Sequence, residues 1–225
     1  MRVFAAVLPP EPIVEHLAEF VGPRASATDL GSRSRPSGWR WSRPEAIHLT
    51  LAFVPELDLG REERVIEAGE VWAGRAQPVH LRLSGAGAFP DPGRAKVLWV
   101  GVTSASAVEG EFGCVGEADV AARLSSWAHG VRGLISHAGG RPEGRAFRPH
   151  VTVARARSSG GQDAARLLQS LDTYASPSWR ADTISLIAST LGDGPGGTPR
   201  YDVLHEWRLG RGKISGRPPA CPHRR

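Results

Sequence analysis

Apolar and polar positions alternate with a period of two in two matched stretches, Ile47-His48-Leu49-Thr50-Leu51 and Pro149-His150-Val151-Thr152-Val153. Two is the strand period, so each His and its Thr share one face and the aliphatic neighbours take the other. One face can rest on a core while the other offers an imidazole and a hydroxyl. The rest of the chain alternates strand and helix patterns around these two stretches. Residues 2–8 form a short apolar run, which predicts a buried strand. Pro9-Pro10-Glu11-Pro12 then opens a helix with Ile13, Leu17, Phe20 and Val21 on one face. Residues 24–38, rich in Ser, Arg and Gly, predict a long loop. Residues 39–42 predict a short edge strand in which Trp39 and Trp41 share a face, suited to core packing or to stacking on a nucleobase. Arg43-Pro44-Glu45-Ala46 reads as a turn, and residues 47–54 as the first motif strand, ended by Pro55.

The second half repeats the alternation. Residues 60–76 predict a helix with Val65, Ile66, Gly69 and Trp72 inward. Residues 79–83 predict a strand, and Gly85-Ala86-Gly87-Ala88-Phe89-Pro90 a turn. The almost wholly apolar residues 96–102 predict a strand covered on both faces. A loop over 103–117 precedes a helix over 119–137, which Gly130 and Gly133 weaken. Residues 147–156 are the second motif strand, 162–174 a helix, 179–191 one long strand and 201–209 a final strand. Strands and helices interleave, and each half carries one motif. The pattern predicts a pseudo-symmetric α+β protein with two lobes.

Composition narrows the function. The 225 residues suffice for one large domain or two small lobes. Net charge is +5, and of 28 basic residues only Lys96 and Lys213 are lysines. Arginine suits bidentate phosphate contacts, so an anionic partner is expected, although a GC-rich genome would also favour Arg. Cys114 and Cys221 are too few for a disulfide framework or a zinc site. A cytoplasmic protein with reduced thiols is expected. No stretch approaches the length of a membrane span. Residues 210–225 carry four Arg, a Lys and three Pro without periodicity and predict a disordered basic tail.

A single His-x-Thr in a strand is most often a half-buried sheet position. Two copies, each preceded by an Arg-Pro-Glu triplet (residues 43–45 and 141–143), are a different matter. Two imidazoles can divide acid and base work, because the unperturbed imidazole pKa lies near 6.5. The hydroxyls of Thr50 and Thr152 can donate to phosphate oxygens as charge builds there. Each motif offers one His with no carboxylate cluster beside it, so neither a metal nor another cofactor is expected. Arg148 has the strand parity of His150. Arg155 lies on the opposite parity and needs a bulge or the strand's end to reach the same face. Phe53 occupies the equivalent place in the first motif, suited to core packing or to stacking on a base, and with Arg148 and Arg155 it is a candidate for binding substrate. His80, His129, His137 and His205 have no Thr partner of this kind and read as ordinary residues.

These stretches resemble the 2H phosphoesterase superfamily, marked by twin His-x-Thr-x motifs. Residues 1–7, 41–53, 97–102 and 147–155 resemble in particular the RNA 2',3'-cyclic phosphodiesterases, also called 2'-5' RNA ligases. The resemblance runs over 1–209 as one bilobal domain. It implies two antiparallel sheets backed by helices and facing a central cleft. It implies His48 as proton donor, His150 as proton acceptor, and Arg155 as a phosphate contact. It implies loss of the 3' oxygen to leave a 2'-phosphate, with 2'-5' ligation as the reverse reaction. RNA bearing a 2',3'-cyclic phosphate end is the expected partner, no membrane is involved, and a monomer is expected. The rival readings are a 2H enzyme acting on a small cyclic nucleotide, ADP-ribose cyclic phosphate or oligoadenylate, and a non-catalytic RNA-binding module.

Overall fold

The structure, a computed structural model, describes residues 1–30, 38–58, 60–105, 117–144 and 146–210. Residues 31–37 of the loop expected over 24–38, most of the loop expected over 103–117 with Cys114, and the basic tail with Cys221 lie outside the described residues. In order the elements are β1 (Val3–Val7), α1 (Glu11–Leu30), β2 (Trp39–Trp41), β3 (Leu49–Val54), α2 (Glu62–Ala73), β4 (Val79–Phe89), β5 (Val97–Ser104), α3 (Glu117–His137), β6 (His150–Ala156), α4 (Ala165–Leu171), β7 (Trp179–Ala181), β8 (Thr183–Thr190) and β9 (Arg200–Arg208).

The fold is α+β. Two antiparallel half-sheets, β7-β4-β5-β6 and β3-β1-β8-β9, meet at the two motif strands. The seam between them is the single register pair Leu49↔Val151, and β2 pairs with the far end of β6. The terminal strands cross over, so the half-sheet holding the first motif is built from both ends of the chain. Helices cover one face. There Leu17 of α1, Val65 of α2, Leu124 and Val131 of α3, and Leu171 of α4 join Leu49, Leu51, Leu98, Val100, Val151 and Leu186 in one continuous core. On the other face Phe4, Ala6 and Ile187 form a small separate cluster with Phe53 and Tyr201.

Four expected boundaries move. Residues 24–30 continue α1 rather than opening a loop. Pro23 costs the helix one amide donor, but Arg24 donates to the Phe20 carbonyl (2.6 Å) and lies over the Phe20 ring (3.6 Å). Ser26 donates to the Gly22 carbonyl at 3.1 Å. Residues 85–89 are strand, not turn. β4 runs through them with a bulge between Ser84 and Ala86 where Gly85 takes a φ of +67°. The stretch 179–191 is two strands: β7 pairs with β4, while β8 pairs with β1 and β9 in the other half-sheet. The helix expected over 162–174 is short, and its flanks instead bridge Ala95 and Ser84.

Trp39 is buried and Trp41 half-buried on the helix side, so both serve the core. Gly130 also has a packing role. A Cβ there would meet the Trp72 Nε1 at 2.3 Å, so its absence lets α3 close onto α2.

Candidate active site

Both motif strands carry one extra residue at the same place. Between β1 and β3 the register steps from Ala5↔Ala52 to Ala6↔Thr50, leaving Leu51 unpaired. Between β5 and β6 it steps from Leu98↔Ala154 to Trp99↔Thr152, leaving Val153 unpaired. Each bulge therefore follows the motif Thr by one residue. Leu51 and Ala52 both bury into the core, as do Val153 and Ala154. Strand parity is thereby reset. Phe53 and Arg155 emerge on the face of the His and Thr, although their spacing from His48 and His150 is odd.

The structure brings His48, Thr50, His150, Thr152 and Arg155 to the uncovered face of the two adjoining strands. Each imidazole is anchored on a carbonyl two residues upstream. The Nδ1 of His150 lies 2.6 Å from the Arg148 carbonyl, and His48 bonds to the Ala46 carbonyl. A carbonyl only accepts, so the ring N–H donates in each case. For His150 this fixes the Nδ1–H tautomer of the neutral ring and leaves Nε2 for a ligand. Among the described residues, no protein hydrogen bond engages the Thr50 or Thr152 hydroxyl, so both can serve a ligand.

Aromatic rings frame both histidines. His48 stacks on Phe4 (4.6 Å between centroids, 30° between planes) and meets the edge-on Tyr201 ring at 5.5 Å. His150 meets Phe89 edge-on at 5.1 Å and Trp99 at 6.0 Å. No sequence pattern marks Phe4, Tyr201, Phe89 and Trp99 for the site. They come from four strands, and only the long-range register unites them. Trp99 lies where it does because Gly87, its partner across β4–β5, has no side chain; a Cβ there would meet the Trp99 Cζ2 at 2.0 Å.

The electrostatics follow from this framing. Burial lowers the His48 pKa from 6.5 to about 4. The Ala46 carbonyl bond opposes that, and the charges of Arg155 and His150 add to it. Burial also lowers the His150 pKa. Its bond to the Arg148 carbonyl opposes the shift, and the Arg155 and Arg148 charges add to it. Arg155 thus acts on both imidazoles. Its own pKa is lowered by burial, raised by Tyr201 and lowered by Arg40; a guanidinium remains charged throughout. Arg148 lies over the Trp99 ring at 4.6 Å, beside His150. Phe53 faces the site side, but Arg2 lies over its ring at 4.8 Å.

His205, read as ordinary, pairs with Glu70 at 2.6 Å, away from the motif strands. A shallow apolar notch, lined by Leu17, Val21, Ile47 and Val153 among others, lies on the helix side of the motif strands. It holds none of the chemistry. Among the described residues, no helix is long and apolar enough to cross a membrane, and no three His, Cys, Asp or Glu residues cluster as metal ligands would.

Comparisons with known proteins agree with this fold. The family model described as LigT like Phosphoesterase matches residues 8–99 and 115–196. The RNA 2',3'-cyclic phosphodiesterase of Aquifex aeolicus is 29% identical over 171 residues, spanning 76% of this chain and 82% of that protein. The one from Aeropyrum pernix is 32% identical over 164 residues, spanning 72% and 81%. Among solved structures, TT0787 of Thermus thermophilus superposes with a TM-score of 0.64 at 27% identity, over 95% of this chain and all of that one. Escherichia coli LigT complexed with 3'-AMP shares the fold with a TM-score of 0.60 at 23% identity, over 92% and 97%.

Proposed function

The chain belongs to the LigT-like phosphoesterases, and from that premise we propose that it hydrolyses RNA 2',3'-cyclic phosphate ends to 2'-phosphates with two histidines as acid and base. Water attacks the strained phosphorus while His150 removes its proton. The bond from phosphorus to the ribose 3' oxygen breaks, and His48 gives that oxygen a proton. The Thr50 and Thr152 hydroxyls donate to the non-bridging oxygens, and Arg155 balances their charge. Run backwards with an RNA 5'-hydroxyl as nucleophile, the same steps make a 2'-5' linkage. The unit that acts is residues 1–209, as a cytoplasmic monomer.

One observation carries the reading. Two pseudo-equivalent strands each present an imidazole anchored through a carbonyl two residues upstream, and a matched bulge turns Arg155 to the same face. The order of roles has a condition attached. His48 is the more firmly neutral ring in the free protein, so it can act as the donor only once the phosphate anion has raised its proton affinity.

The test is turnover of a short RNA ending in a 2',3'-cyclic phosphate, with EDTA present and the product ends identified. A 2'-phosphate product is expected, with kcat/KM falling roughly 10²–10⁴-fold in His48→Ala and in His150→Ala. A 3'-phosphate product would reassign the leaving oxygen. Turnover of small cyclic nucleotides alone would favour the rival enzyme, and full activity in either variant would end the two-histidine reading.

A further inference from the structure

β2 lies along the far end of β6 with Trp39↔Ala156, Arg40↔Arg155 and Trp41↔Ala154 in register. Residues paired in an antiparallel ladder share a face and stand about 5 Å apart. Trp39 and Trp41 point into the helix-side core, as do Ala154 and Ala156. Arg40, exposed between the two tryptophans, therefore stands on the same face as Arg155, at its side and away from the seam. Among the described residues, no carboxylate forms an ion pair with either arginine. Arg180 and Arg200, also exposed on strands, each have an aspartate.

Two guanidinium groups on neighbouring strands without a carboxylate repel each other, and only an anion or solvent relieves that. Burial is the main cause of the lowered proton affinity of Arg155, and the charge of Arg40 adds to it. The two arginines are not equivalent towards the chemistry. Arg155 is the charge felt by both His48 and His150. Arg40 lies one strand further out. A phosphate held among the two histidines, the two threonines and Arg155 has its donors already.

We infer that Arg40 is a specificity residue for polynucleotide ends, binding beside Arg155 the internucleotide phosphate on the 5' side of the terminal nucleotide. The inference rests on the hydrolase reading above and assigns to one residue the discrimination between a chain end and a mononucleotide. Arg40 touches no reacting atom. It sets where the chain lies.

The test compares a dinucleotide ending in a 2',3'-cyclic phosphate with the mononucleotide 2',3'-cyclic phosphate, using the full chain, Arg40→Gln and Arg40→Lys. In Arg40→Gln the ratio of kcat/KM for dinucleotide over mononucleotide falls about tenfold, mostly through KM, as expected for loss of one charge-assisted contact. Arg40→Lys recovers most of the ratio. Equal losses on both substrates, or no loss on either, overturn the inference. Binding of the corresponding dinucleotide 2'-phosphate and nucleoside 2'-phosphate gives a readout without turnover. Here Arg40→Gln weakens only the dinucleotide and flattens its log K against log salt by about 0.7, the contribution of one single-strand phosphate. An unchanged slope overturns the subsite. Should the wild-type protein open neither cyclic phosphate, the hydrolase reading fails, and the binding comparison alone decides the role of Arg40.

Discussion

At the scale of residues, the proposed two-histidine chemistry dictates a pH profile. Under that proposal the productive free enzyme carries one proton on the pair, since one ring must give a proton and the other must take one. Both pKa values are lowered, that of His48 to about 4. Below the lower one both rings are charged and no base remains; above the higher one both are neutral and no acid remains. The singly protonated form peaks midway between them, so kcat/KM should fall on both sides of a maximum below the ordinary imidazole value near 6.5. The kcat profile should lie at higher pH, because a bound phosphate anion raises both pKa values. A kcat/KM maximum above about pH 7 in a pH–rate series would contradict the framing of His48. The His and Thr positions are legible in the sequence because the strand period places them together. The orientation of Arg155 is not, because parity fails across a bulge and nothing local in Val151-Thr152-Val153-Ala154 announces the extra residue. The rings around His48 are also hidden. Tyr201 comes from the far end of the chain, and Phe4 from a run that reads as plain core.

At the scale of elements, glycine is the residue most easily misread. Gly85, Gly87 and Pro90 predict a turn by composition, yet β4 continues through residues 85–89. Gly87 is there because the Trp99 ring lies across it. Gly87→Ala should therefore displace a large ring that has no flexible end to yield, with a cost of about 1–3 kcal/mol in unfolding free energy. The same change should lower turnover through the contact of Trp99 with His150. Chemical denaturation and kcat of the variant check both, and an unaltered protein would count against the packing argument. The helices are legible from their apolar spacing, although α1 runs further than expected because side-chain donors to carbonyls offset the loss at Pro23. The division of 179–191 is illegible. Its two halves are alike in composition and differ in their partners, β4 for one and β1 with β9 for the other.

At the scale of the whole molecule, the α+β class and the one-motif-per-half arrangement can be read from the interleaving of patterns, whereas the strand order cannot. Which strands adjoin is settled by pairing between distant segments, and periodicity carries no information about partners. The seam is the clearest example: one register pair, Leu49↔Val151, joins the half-sheets and places each motif His across from the other motif's Thr. The same strand order also has a consequence in time. β1 leaves the ribosome before the other strands, and β8, which must lie against it through Val3↔Ala188 and Phe4↔Ile187, is almost the last of them to follow. β4 and β5 are neighbours in sequence and can pair at once. In pulse-labelled refolding, amides of β4 and β5 should gain protection from exchange before those of β1, since closing the longer loop is the slower event. A nascent chain therefore carries His48 on a half-built sheet until β8 and β9 emerge, and the first imidazole gains its full setting only after the second motif has already been made.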